Sequence, residues 1–201
     1  MSNFFNFYKE YTDDLTKSII SLKAKELNKI FKIIEKAIKN KKNIFTCGNG
    51  GSASVSNHFL CDFNKGIRQS SKNKLKPKVI SLSSNIELIS AISNDINSEE
   101  IFSYQIDNFA NPGDILIAFS CSGSSKNIIK GIKLAKRKKI VTIGFLGFAS
   151  KKNEKMFDYS INIGFKNYGI TEDIFQILMH SISQYIRKKN IRNFNKKINI
   201  L

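Results

Sequence analysis

The segment IFTCGNGGSA, residues 44–53, is a short apolar run that passes directly into a glycine-rich turn and then into a helical pattern. Glycines at such a junction let the backbone turn sharply and bring amides close to a ligand, and the following helix N-terminus favours an anion. A second junction of the same kind, ILIAFSCSGSS, residues 115–125, ends in serines around Gly123 and opens another helical stretch. Hydroxyls and backbone amides together can enclose a phosphate without a cation. Gly48, Gly50 and Ala53 fit the dinucleotide pattern G-x-G-x-x-G/A only loosely. The next strand ends Leu82-Ser83-Ser84-Asn85, with no acid for a ribose, and no Lys-Ser/Thr pair follows the glycines as a nucleotide-phosphate loop requires. The two loops therefore point to a phosphorylated small molecule, held by backbone amides such as those of Gly50 and Gly51 and by serine hydroxyls.

Outward from these loops, short apolar runs alternate with longer helical stretches, the mark of βαβ units and a parallel sheet. The predicted strands are 44–47, 79–82, 115–119, 140–145 and 160–163; the predicted helices are 53–63, 86–92, 100–109, 127–136 and 171–187. That order gives a three-layer α/β/α domain over residues 41–188, with ligands expected at the carboxyl ends of the strands. Residues 1–40 carry two amphipathic stripes, Phe5, Tyr8, Leu15, Ile19, Leu22 and then Leu27, Ile30, Phe31, Ile34, Ala37, Ile38. The first is expected to serve oligomerisation. Residues 189–201 form a basic, polar tail, and the chain has no internal repeat.

Composition narrows the class. With 41% hydrophobic and 24% charged residues in 201, one folded domain is expected, and intrinsic disorder is disfavoured. No apolar run has the length of a membrane span, and the N-terminus has no signal-like core, so a cytoplasmic location and no membrane partner are expected. Cys47, Cys61 and Cys121 are odd in number and far apart, as reduced thiols are. The 33 Lys and Arg against 16 Asp and Glu give +17. Because these cations are spread along the whole chain, composition accounts for the charge better than a nucleic-acid site does.

Only two histidines are present. His58 and Asp62, at i and i+4, project from one helix face; Glu172 and His180, eight apart on the last helix, are expected to share another. Two imidazoles and two carboxylates would suit zinc or a similar divalent ion. A surface hydrogen bond or a core histidine gives the same local pattern, and spacing alone does not bring the two pairs together. Asp95 follows the second strand near the same sheet edge, where it could hold a substrate hydroxyl or cap a turn.

The segments CGNGGSASVSNHFLCDF, AISNDINSEEIFS, SCSGSSKNIIKGIKLAK and NYGITEDIFQILMHSISQYI, in this order, resemble the sugar isomerase (SIS) domain family, in particular its phosphoheptose isomerases. The resemblance implies a flavodoxin-like, five-stranded parallel sheet in a homotetramer whose leading helices serve assembly. It implies phosphate contacts at Ser52, Ser120, Ser122 and Ser125, substrate contacts at Asn49 and Asp95, and one zinc per subunit on His58, Asp62, Glu172 and His180, with Glu172 expected at the substrate as well. It also implies an aldose–ketose isomerisation, sedoheptulose 7-phosphate to D-glycero-D-manno-heptose 7-phosphate for surface polysaccharide, with Asp62 as base and His180 as acid. This chain departs from the family pattern at Asp62, usually glutamate, at Glu172, usually glutamine, and at Lys65-Gly66, where a Gly-Arg pair is common. The rival expectations are a non-catalytic SIS module that binds a sugar phosphate or a protein, and an isomerase of another phosphosugar.

Overall fold

A computed structural model describes residues 3–190. Two helices lead, α1 (Phe4–Ile20) and α2 (Ala24–Lys39). The α/β body then runs β1 (Asn43–Cys47), α3 (Gly51–Cys61), a π-helical segment (Asp62–Ile67), α4 (Arg68–Ser70), β2 (Lys78–Ser81), α5 (Ile86–Asp95) and α6 (Ile101–Phe109). It continues through β3 (Ile115–Ser120), α7 (Lys126–Arg137), β4 (Val141–Leu146), α8 (Lys151–Glu154), β5 (Tyr159–Asn162) and α9 (Tyr168–Asn190). Every predicted strand lies within one residue of its observed bounds. The last helix continues to Asn190, two residues beyond the expected domain edge, and residues 191–201 of the expected tail lie outside the described residues.

All five strands are parallel in the order β2-β1-β3-β4-β5, with Ile44 beside Ile115 and Phe45 beside Leu116 at the centre. Strands buried on both faces read as continuous apolar runs, and all six residues of β3 are buried. Alternation nevertheless sorts them into two cores. Ile44, Ile117, Phe119 and Phe145 pack with α2, α3 and α9 on one face, whereas Phe45, Leu116, Ala118 and Leu146 pack with α6 and α7 on the other. Chain direction across the sheet reverses between β1 and β3, so the loops leaving these two strands diverge and open a crevice at their carboxyl ends.

Aromatic packing fixes the two helices that flank this crevice. Phe175 of α9 lies 5.7 Å from Phe119 and 6.5 Å from Phe145, ring centre to ring centre, while Phe59 of α3 stacks on Phe63 at 3.9 Å and lies 6.1 Å from Phe119. Truncating one such buried ring costs about 3–5 kcal/mol, so α3 and α9 are held firmly on the sheet. Of the two predicted N-terminal stripes, the second is core: Ile30, Ile34, Ala37 and Ile38 are buried. The first divides, with Leu15, Ile19 and Leu22 packed on the core and Phe5 and Tyr8 more than half exposed, at 57% and 52%.

Candidate active site

Two clusters lie along the α3–α9 pair. The first is a cavity of about 360 Å³ at the carboxyl ends of β1 and β3. Asn49, Gly50, Gly51 and Ser52 line one side, Ser120, Ser122 and Ser125 another, and Glu172 and Tyr168 reach in from α9. Gly50 takes φ +56°, which only glycine adopts freely, and so turns the chain from β1 into α3. The serines do not all have the same work. Ser120 Oγ accepts the Gly123 amide at 3.1 Å and Ser122 Oγ accepts the Ser124 amide at 3.2 Å, shaping the loop, whereas Ser125 stands at the α7 N-cap with no side-chain capping bond. The Asn49 and Asn127 side chains exchange two amide hydrogen bonds, of 3.0 and 2.9 Å, and tie the glycine loop to the start of α7. Asn127 is not among the sequence-predicted contacts, although its place one turn beyond Ser122-Gly123 is a usable signal.

Glu172 lines the cavity, where a substrate contact is expected of it, and departs from its expected place among the metal ligands. Its Oε1 accepts a hydrogen bond from Ser52 Oγ at 3.1 Å, which places the carboxylate over the glycine loop and not among the predicted zinc ligands. A Cβ on Gly51 would fall 2.6 Å from Glu172 Cδ, so the absence of a side chain at Gly51 admits Glu172. The eight-residue spacing spans about 12 Å along the axis, and the bond from Ser52 holds the carboxylate at the loop end of that span, so Glu172 is not among the ligand atoms within 4.8 Å of one another. Cys121 lies beside this carboxylate, its Sγ 3.8 Å from Oε1, and burial, aided by the Glu172 charge, pushes the thiol up to about 11. Asp95 is not brought to the cavity. It sits exposed at the end of α5, accepting a bond from Asn94 Nδ2 at 2.8 Å.

The second cluster contains three of the four predicted ligands. One ligand atom each from His58, Asp62 and His180 lies within 4.8 Å of the others. His58 Nε2 is 3.5 Å from Asp62 Oδ1, His180 Nε2 is 3.7 Å from Asp62 Oδ2, and the two Nε2 atoms are 3.4 Å apart. Asp62 opens the π-helical segment that extends α3, a widened turn of the kind that often accompanies functional sites, and it is only 3% exposed. Ser183 Oγ donates to Asp62 Oδ2 at 3.4 Å, and the Gln176 side chain contacts His58 Nδ1 at 2.9 Å. Neither is among the sequence-predicted residues, yet Gln176 and His180 stand at i and i+4, the same spacing that identifies His58 and Asp62.

The cluster suits a divalent cation. Asp62 Oδ1 is buried without a hydrogen-bond partner among the described residues, and the imidazole and carboxylate donors are those that zinc and similar ions take. In such a site His58, Asp62 and His180 would be the ligands; Glu172 would not.

The SIS domain family model matches residues 7–147. The chain belongs to the SIS domain family. Curated relatives include a probable phosphoheptose isomerase of Thermoplasma acidophilum, 30% identical over 181 residues, covering 90% of this chain and 98% of that protein. A phosphoheptose isomerase of Clostridium acetobutylicum is 30% identical over 190 residues, covering 90% and 95%. Among solved structures, the phosphoheptose isomerase of Neisseria gonorrhoeae superposes with a TM-score of 0.81 at 22% identity, covering 90% of this chain and 95% of its own. The family model ends before α9, so Glu172, Gln176 and His180 of this SIS protein lie beyond the matched residues.

Proposed function

We propose that this SIS protein is a phosphoheptose isomerase that converts sedoheptulose 7-phosphate to D-glycero-D-manno-heptose 7-phosphate, a precursor for surface polysaccharide. The observation that carries the reading is that one helix pair serves both clusters: Ser52 and Glu172 flank the serine-lined cavity, and His58, Asp62 and His180 converge farther along α3 and α9. A substrate with an anion at one end and a carbonyl at the other requires two such regions. The names of the 30%-identical relatives support the same substrate.

In this reading the serine and glycine loops bind the phosphate, and their binding energy positions the reacting carbons. Glu172 and Asn49 accept and donate hydrogen bonds to the sugar hydroxyls between the two regions. Asp62 takes the proton from C1 of the ketose while His180 gives one to the C2 oxygen, producing a cis-enediol. Asp62 then returns the proton to C2, and His180 takes the proton from the C1 oxygen as the aldehyde forms, so no outside oxidant or reductant is consumed. Ser183 holds Asp62 Oδ2 in place for both transfers. A zinc ion held by His58, Asp62 and His180 would supply Lewis acidity toward the substrate's adjacent oxygens. The half-exposed Phe5 and Tyr8 and the strongly exposed Phe4, at 81%, support α1 as an assembly surface for a homotetramer. The free thiols suit the cytoplasm.

The test combines elemental analysis of protein purified without chelator with detection of aldoheptose phosphate from sedoheptulose 7-phosphate, with and without added zinc. Metal near one per chain, with product, is expected, and His180→Ala should abolish turnover while leaving phosphate affinity intact. No metal, and no product with zinc supplied, would replace this reading with that of a non-catalytic sugar-phosphate-binding module.

A further inference from the structure

The His58 ring is contacted at both of its nitrogens. Gln176 Nε2 lies 2.9 Å from Nδ1, and Asp62 Oδ1 and His180 Nε2 lie 3.5 and 3.4 Å from Nε2. A neutral imidazole has one N–H and one acceptor, and whatever its outer nitrogen meets decides which is which. With the Gln176 amide presenting its NH2 group, Nδ1 must accept, so Nε2 carries the proton. That proton is shared with His180 Nε2 at 3.4 Å, while Asp62 Oδ1, 3.5 Å from the same nitrogen, is left buried without a hydrogen-bond partner among the described residues.

This arrangement leaves Gln176 Oε1 itself buried and without a partner among the described residues. Rotating the amide by half a turn presents Oε1 to an Nδ1–H and leaves Nε2 as a bare lone pair. With His180 protonated on Nδ1, three electron-rich groups, His58 Nε2, Asp62 and His180 Nε2, would then converge, an arrangement that a cation stabilises. A carboxylate at position 176 could support only the second arrangement and an aliphatic side chain neither; a primary amide supports both.

We propose that Gln176 is a positioning residue that selects the His58 tautomer, donating to Nδ1 when the cluster holds no cation and accepting from Nδ1–H when it does. The second half rests on the metal reading above; the first concerns the chain alone. Partners behind metal-bound histidines act in this way on ring orientation and basicity, and their loss lowers metal affinity about 10- to 100-fold.

The two histidines make the experiment direct. Imidazole 15N–1H correlation spectra of the full chain, at about pH 8 where free imidazole is neutral, contain two ring systems that His180→Ala tells apart. Metal-free wild type is expected to show His58 protonated on Nε2, and zinc is expected to move that proton to Nδ1. Gln176→Glu should hold Nδ1–H before any zinc is added. Gln176→Leu should give mixed tautomers and bind zinc about 10- to 100-fold more weakly. An unchanged His58 tautomer together with unchanged zinc affinity in Gln176→Leu, or an Nε2–H ring in Gln176→Glu, would overturn the proposal. If zinc leaves both rings untouched, the metal reading and the switch fall together, and the metal-free spectra of wild type and Gln176→Glu still decide whether Gln176 sets the tautomer.

Discussion

Gly51→Ala tests the placement of Glu172 over the glycine loop. A new Cβ would meet Glu172 at 2.6 Å from Cδ and 2.7 Å from Oε1, both at the far end of a flexible side chain, so the carboxylate should swing away and release Ser52 Oγ. A hydrogen bond to a charged acceptor contributes about 1.5–3 kcal/mol, and the part-buried position of Glu172 argues for the lower end, about 1.5 kcal/mol. Alanine at the first residue of α3 recovers about 0.5 kcal/mol of backbone entropy, since Gly51 does not have the positive φ that would strain it. Gly51→Ala should therefore destabilise the wild type by about 1 kcal/mol and stabilise a Glu172→Ala background by about 0.5 kcal/mol, a coupling near 1.5 kcal/mol. Urea unfolding of the four proteins measures it directly. Equal effects of Gly51→Ala in both backgrounds would show that Glu172 does not occupy this site and would return it to the metal ligands.

Ser125→Ala should change stability by less than about 0.5 kcal/mol, because its hydroxyl makes no capping bond where a lost cap typically costs about 1 kcal/mol, yet it should raise KM for the sugar phosphate. Comparing the unfolding midpoint with KM separates the two. Burial, with the hydrogen bond to Asp173, pushes the Tyr11 phenol up to about 12. The unfolded chain, with its phenol near the ordinary value of about 10, releases that proton first. Stability from the α1–α9 contact is thus present below about pH 10 and lost between about pH 10 and 12, and Tyr11→Phe should flatten that slope in a pH series of unfolding curves. With Cys121 pushed up to about 11 and Cys47 buried, iodoacetamide at about pH 8 should label Cys61 alone, as peptide mass mapping would read.

Much of this architecture is legible in the amino-acid sequence because the governing interactions are local or strongly periodic. Buried parallel strands appear as apolar runs, and the glycine and serine loops announce themselves by residue type. His58 and Asp62 lie one turn apart, so their pairing follows from helix geometry alone. What the sequence could not supply is the phase of α9 against α3. A uniform helical pattern from Tyr168 to Asn190 does not say which residue meets which partner, and the packing of Phe175 on Phe119 and Phe145 sets that phase. It sends Glu172 to Ser52, Gln176 to His58 Nδ1 and Ser183 to Asp62. The π-helical turn that carries Asp62, the exposure of Asp95 and the division of the first stripe between core and solvent are equally nonlocal. The chain by itself determined the elements and the chemistry they could carry; the docking of two helices on one sheet decided which groups meet, because side-chain convergence depends on distances that sequence spacing does not encode.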